Sequence, residues 1–173
     1  KGESQEAAVI RQGNYVEKIE PGVDYKDRLP RIPPLPPAES VSRMRLIAGF
    51  RIEQVAAEPM VCDPVDIAFD ERGRMFVAEM TTYAQARETL TGRVSVLEDL
   101  DNDGRFDKSA VFVDRLAFPS GVFCFDGGAF VASSPDLLYC KDTDGDGKAD
   151  IREVVFTGFD FSNPSQCPNS LRW

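Results

Sequence analysis

Two stretches of the sequence carry acidic side chains at a spacing that suits a hard cation. Asp99-Leu100-Asp101-Asn102-Asp103-Gly104-Arg105-Phe106-Asp107 and Asp142-Thr143-Asp144-Gly145-Asp146-Gly147-Lys148-Ala149-Asp150 both read DxDxDGxxD. Carboxylates at positions 1, 3 and 5 can converge on one ion, glycine at position 6 permits the sharp turn, and position 9 closes the shell. The main-chain carbonyl at position 7, from Arg105 or Lys148, adds a further oxygen. An all-oxygen set of this kind suits calcium rather than zinc or copper. Glu153 stands at position 12 of the second stretch, so "DTDGDGKADIRE" matches the full calcium-loop pattern. The plain alternative is a pair of Asp/Gly-rich hairpin turns with solvated charges. Aspartates packed this densely repel one another unless a cation joins them, and the expectation is a structural calcium.

Other chemistries are excluded by what is missing. The chain has no histidine, which removes serine–histidine triads, histidine-ligated zinc and histidine-ligated haem. Its 20 basic and 29 acidic residues give a net charge of −9, which argues against a nucleic-acid partner. Cys62, Cys124, Cys140 and Cys167 fit neither CxxC nor CxxCH spacing, so zinc knuckles and covalent c-type haem are not expected. An even cysteine number is compatible with an oxidising compartment. The sequence starts at Lys1 without a methionine or an apolar leader, from which either a removed signal peptide or a start inside a longer chain is expected. No apolar run approaches the length of a membrane span.

The elements that must hold the acidic loops are short β-runs. Among the 173 residues, 42% are hydrophobic, enough for a packed core. Residues 1–37 are polar and then proline-rich, "DRLPRIPPLPP", which predicts an extended arm. A linker or surface strap is the simple reading, and a ligand for a proline-recognition domain the sharper one. Residues 38–49 read as one short helix, with Ser40 as N-cap, Val41, Met44 and Ile47 at helical spacing, and Gly49 as the stop. From Phe50 the apolar period changes. "FRIEQVAA", "VDIAFDERGRMFVAEM", "RVSVLEDL", "KSAVFVDRL", "GVFCFDGGAFVASS", "DLLYCKD" and "IREVVFTGF" predict strands separated by tight turns.

These runs also repeat. "RVSVLEDLDNDGRFDKSAVF" matches "DLLYCKDTDGDGKADIREVVF", and "IAFDERGRMFVAEM" matches "VFCFDGGAFVASS". Each copy reads as hairpin, loop, hairpin, which makes four strands per unit of roughly 40–55 residues, the signature of propeller blades. The fold class is therefore all-β. The first blade is expected over about 50–115, the second over about 116–160, and the start of a third over about 161–173. A propeller needs more blades to close, so the remainder is expected further along the chain or in a second chain. Cys124 and Cys140 fall on the first and third strands of one blade, about 9–10 Å apart and beyond disulfide reach. Cys62 and Cys167 take equivalent starts of the first and third blades, and no bridge is predicted.

Residues 38–173 further resemble a known family. "GFRIEQVAAEPMVCDPVDIAFDERGRMFVAEM", "FPSGV", "KDTDGDGKADIREVVFTGF" and "NSLRW" look like the N-terminal propeller of the membrane-bound-dehydrogenase proteins of planctomycetes and verrucomicrobia. Those proteins are distantly similar to the soluble quinoprotein glucose/sorbosone dehydrogenases. The resemblance implies a six-bladed propeller, exported to the periplasm or beyond, that oxidises a sugar or alcohol with pyrroloquinoline quinone (PQQ). In longer members a cytochrome domain carrying haem c follows. The family's histidine base and its cofactor-binding arginines and lysines come mainly from later blades. "SQCPNSLRW" is similar to a blade-start segment, which places Gln166 and Asn169 toward the central cavity. Cys167 stands where many members carry histidine or arginine. Glu79 is similarly placed at an inner-strand end, and for all three the plain alternative is hydrogen bonding between blades.

Two other functions use similar parts. A non-enzymatic binding propeller of the integrin-repeat type carries the same DxDxDGxxD loop between blade strands, although its usual "DL" strand and "FG…G" signals are missing here. A calcium-dependent lactonase-type propeller instead holds its ion on the axis through single residues from many blades.

Overall fold

The structure, a computed structural model, describes residues 9–12, 15–18, 33–81, 90–160, 162 and 167–172. It divides into two units, Lys1–Pro36 and Pro37–Trp173. In the first, β1 (Val9–Gln12) and β2 (Tyr15–Lys18) pair antiparallel, from Val9 opposite Lys18 to Gln12 opposite Tyr15. The N-terminal arm is thus not extended throughout. Its proline-rich part lies partly outside the described residues, and 33–36 are exposed and irregular.

The second unit opens with α1 (Pro37–Arg43), which begins three residues before the expected cap and ends before Gly49. Proline at the first helical position needs no hydrogen-bond partner for its nitrogen, which explains the earlier start. The early end follows from packing. Met44 and Ile47, which were to extend the apolar face, are exposed, and no buried residue anchors the helix. So short a helix gains little without such an anchor.

Two four-stranded antiparallel sheets follow in chain order. The first contains β3 (Pro64–Phe69), β4 (Met75–Glu79), β5 (Gly92–Glu98) and β6 (Lys108–Leu116). The second contains β7 (Pro119–Phe125), β8 (Gly128–Ser133), β9 (Asp136–Lys141) and β10 (Ile151–Thr157). Turn chemistry sets the hairpins. Asp70 Oδ1 accepts from the amides of Arg72 and Arg74 while Gly73 takes φ +77°, closing β3–β4. Asp126 and Gly127 both take positive φ between β7 and β8, as a tight hairpin requires.

Alternation then divides each sheet into two faces. Ala68, Phe76, Ala78, Val94, Val96 and Phe112 of the first sheet pack on Val122, Val131, Leu138 and Cys140 of the second. Phe76 and Phe112 meet edge to face at 5.0 Å. The inner strand β7 lies against β3 and β4. The result is a pair of stacked propeller blades with a shared apolar core.

The expected strand over "FRIEQVAA" does not form. Residues 50–57 have no paired neighbour, so their backbone cannot enter a ladder. Instead Ala56, Met60 and Val61 cover Met75, Val77 and Leu97 on the far face of the first blade, and the Phe106 amide donates to the Val55 carbonyl at 3.2 Å. The first blade therefore begins at Pro64. No strand of a third blade occurs among the described residues after Gly158. Among the described residues no helix is long and apolar enough to cross a membrane.

Candidate metal centre and axial cavity

The acidic loops occupy equivalent places, each joining the third and fourth strands of its blade: β5 to β6 and β9 to β10. Their internal hydrogen bonds correspond residue by residue. Asp99 accepts from the amides of Asn102 (2.7 Å) and Gly104 (2.9 Å), and Asp142 accepts from Gly145 (2.7 Å) and Gly147 (2.9 Å). Asp101 accepts from the Asp103 amide and Asp144 from the Asp146 amide, both at 3.1 Å. The position-7 amides of Arg105 and Lys148 donate to Asp103 and Asp146, both at 2.8 Å. Asp107 and Asp150 reach back to the amides of Leu100 and Thr143. Gly104 and Gly147 share φ +88°, a conformation that a side chain would strain.

Carboxylate oxygens converge within 4.8 Å for Asp99, Asp101 and Asp107 in the first loop, and for Asp142, Asp144 and Asp146 in the second. Asp103 and Asp150 lie outside these groups. Glu153 stands on β10 opposite Tyr139, exposed, and is likewise not drawn in. Each remaining set offers only hard oxygen donors on an exposed rim, which fits calcium by donor chemistry. Desolvation tends to raise the carboxyl of Asp142, but the amides of Gly145, Gly147 and Asp144 outweigh it and hold it below its ordinary value. The Thr143 amide and hydroxyl do the same for Asp150. Asp142 and Asp150 of the second loop thus stay charged at neutral pH.

The other candidate residues separate. Glu79, at the end of β4, has no exposed surface and pairs through Oε2 with Arg93 on β5, directly opposite in register. Its Oε1 is buried with no partner among the described residues. Asn169 lines a cavity of about 370 Å³ with Val65, Asp66, Met80 and Ser120 at the inner-strand ends. Its side chain donates to the Cys167 carbonyl. Gln166 lies outside the described residues. Asp66 went unnoticed in the sequence. It accepts the Val122 amide at 3.0 Å and so links the inner strands of both blades. The only trace of it was a charge inside the otherwise apolar run "PVDIAF". None of the four cysteines forms a disulfide.

Two stacked four-stranded sheets with acidic loops at matching positions define two blades of a β-propeller. Residues 36–173 match the family described as "Domain of unknown function (DUF7133)", and the chain belongs to that family. No curated protein matches it. Among solved structures it is similar to the holo form of the pyranose dehydrogenase PQQ domain from Coprinopsis cinerea, with a TM-score of 0.53 and 19% identity. That likeness covers 68% of this chain and 26% of the other, so the chain spans about a quarter of its solved neighbour. At this identity the likeness speaks for the fold.

Proposed function

We propose that this chain supplies the opening blades of an exported propeller of the quinoprotein sugar/alcohol dehydrogenase type, with structural calcium in its third-to-fourth-strand loops. The observation that carries the calcium reading is that two loops from different blades hold their aspartates at positions 1, 3, 5 and 9 against amides at the same loop positions. The quinoprotein reading rests on the sequence resemblance and on a PQQ-binding neighbour of the same fold. The cavity at the inner-strand ends does not itself fit the quinone. PQQ carries three carboxylates, and the cavity beside Asn169 offers no lysine or arginine among the described residues and includes Asp66. A quinone pocket here therefore draws its cations from other blades, with Asp66, Ser120 and Asn169 contributing polar wall. A haem c domain and the remaining blades are the partners this reading implies.

Mass action tests the metal. A ligand held only by the folded state at a hundredfold excess over Kd adds about 2.7 kcal/mol, or roughly 5–10 °C of melting temperature at this chain length. Chelation by EGTA should remove that increment, and Asp142→Ala with Asp146→Ala should remove the part due to the second loop. Unchanged melting on chelation would sink the calcium reading. For activity, the intact protein is loaded with PQQ and calcium and assayed for dye reduction by aldoses. Absence of reduction, with calcium binding retained, would favour a calcium-stabilised binding propeller of the integrin-repeat kind.

A further inference from the structure

A cleft of about 740 Å³ runs between the outer strand of the first blade and the approach to β10 in the second. Arg93, Arg115, Lys148 and Arg152 line it, against the single carboxylate of Asp114. In a chain of net charge −9 this concentration of cations runs against the composition. A defect in the β-ladder produces it. Gly92 pairs with Leu116 and Val94 with Val113, so Arg93 alone faces both Asp114 and Arg115. This bulge holds Arg115 at φ +55°, a conformation uncommon for a long side chain and frequent at functional positions.

The cations differ in how far they are already engaged. Arg93 is neutralised by the buried Glu79. Arg152 crosses from the second blade to donate to the Asp114 and Arg115 carbonyls at 3.0 and 3.3 Å, partners that leave its charge uncompensated. The side chains of Arg115 and Lys148 have no partner among the described residues, and both residues are exposed. The acids of the neighbouring loop turn onto their own loop amides, and none of them lines the cleft. The floor is apolar and fixed. The Ala149 amide donates to the Phe112 carbonyl at 2.8 Å, pinning the second blade's loop to β6 beneath the charges.

We propose that this cleft binds the oxyanion of a small ligand, a carboxylate or a phosphate. Guanidinium forks match such oxyanions bidentately, and the volume lies within the range of small-molecule sites. The cleft is separate from the cavity at Asn169, so this assignment stands or falls independently of a quinone there.

The test uses the intact protein at constant ionic strength, titrated calorimetrically with inorganic phosphate, with glucuronate and, as neutral control, with glucose. One of the two anions should bind with a Kd below about 1 mM while glucose does not, and which of them binds identifies the group. Arg115→Asn combined with Lys148→Gln should weaken that binding about tenfold or more. Asparagine tolerates the left-handed conformation, so this pair should fold. A second measurement needs no variant: the bound anion should slow modification of Arg115 by phenylglyoxal, read by mass spectrometry. No anion binding, equal binding of glucose, undiminished binding by the double variant, or an unchanged Arg115 modification rate each overturns the assignment.

Discussion

Two thiols in the second blade show how burial sets chemistry one residue at a time. Burial pushes Cys124 up to about 12, helped by the charges of Asp70 and Glu71, and pushes Cys140 up to about 11. A thiol is neutral when protonated, so the folded chain keeps a proton that the unfolded chain releases near the ordinary value of 9.0. The stabilisation is complete below that value and is lost as pH rises through the folded values. Urea unfolding between pH 9 and 12 should therefore show falling stability with a slope that is shallower in Cys124→Ala. Identical slopes in variant and parent would remove the thiol from the account. The same residue-level reading explains what the sequence revealed of the acidic loops. Aspartate and glycine act through local turns, so their spacing alone specifies Asp99 and Asp142 against their own loop amides. The pairing of Glu79 with Arg93 depends on which residue of β5 falls opposite β4, and no local pattern encodes that register.

Elements were legible where the turn between them carries its own chemistry. "DERG" and "DGG" gave hairpins because Asp70, Gly73, Asp126 and Gly127 fix the backbone without distant help. Phe50–Ala57 has the right alternation for a strand, but alternation does not supply a neighbour, and the segment stays irregular. The bulge between β5 and β6 was invisible for the same reason, since it exists only once the pairing is known. It explains Gly92. A Cβ there would meet the Pro119 ring and come within 2.8 Å of the Leu116 carbonyl, where β5 passes the start of the second blade. Gly92→Ala should destabilise the protein by about 1–3 kcal/mol through overpacking. Chemical denaturation measures it, and a neutral result would mean that the blades can separate at this point without loss.

At the scale of the molecule, the decisive fact is that the two blades satisfy each other on one face only. Ile67 and Phe69 of β3 remain exposed on the outer side of the first blade, with Phe69 58% accessible. On the opposite side, Phe123, Phe130, Leu137 and Phe156 form the outward apolar surface of the second blade, with Phe156 65% accessible. The repeat makes these surfaces complementary, because the contact between the blades already joins a face of one four-stranded unit to the next unit. Apolar area left in water forgoes roughly 25 cal/mol per Å². Residues 37–173 expressed alone should therefore associate head to tail, the second blade of one copy on the first blade of the next, a contact that repeats without closing unless the rotation permits a ring. Sedimentation should show average mass rising with concentration. Phe69→Lys disables one face and Phe156→Lys the other, so each variant alone should stay monomeric. Mixed in equal amounts, the two should form a dimer and nothing larger, because each supplies the face that the other has lost. If the unmodified 37–173 chain instead stays monodisperse and melts cooperatively at every concentration, the outer faces need no further blade, and the two sheets form a self-contained sandwich.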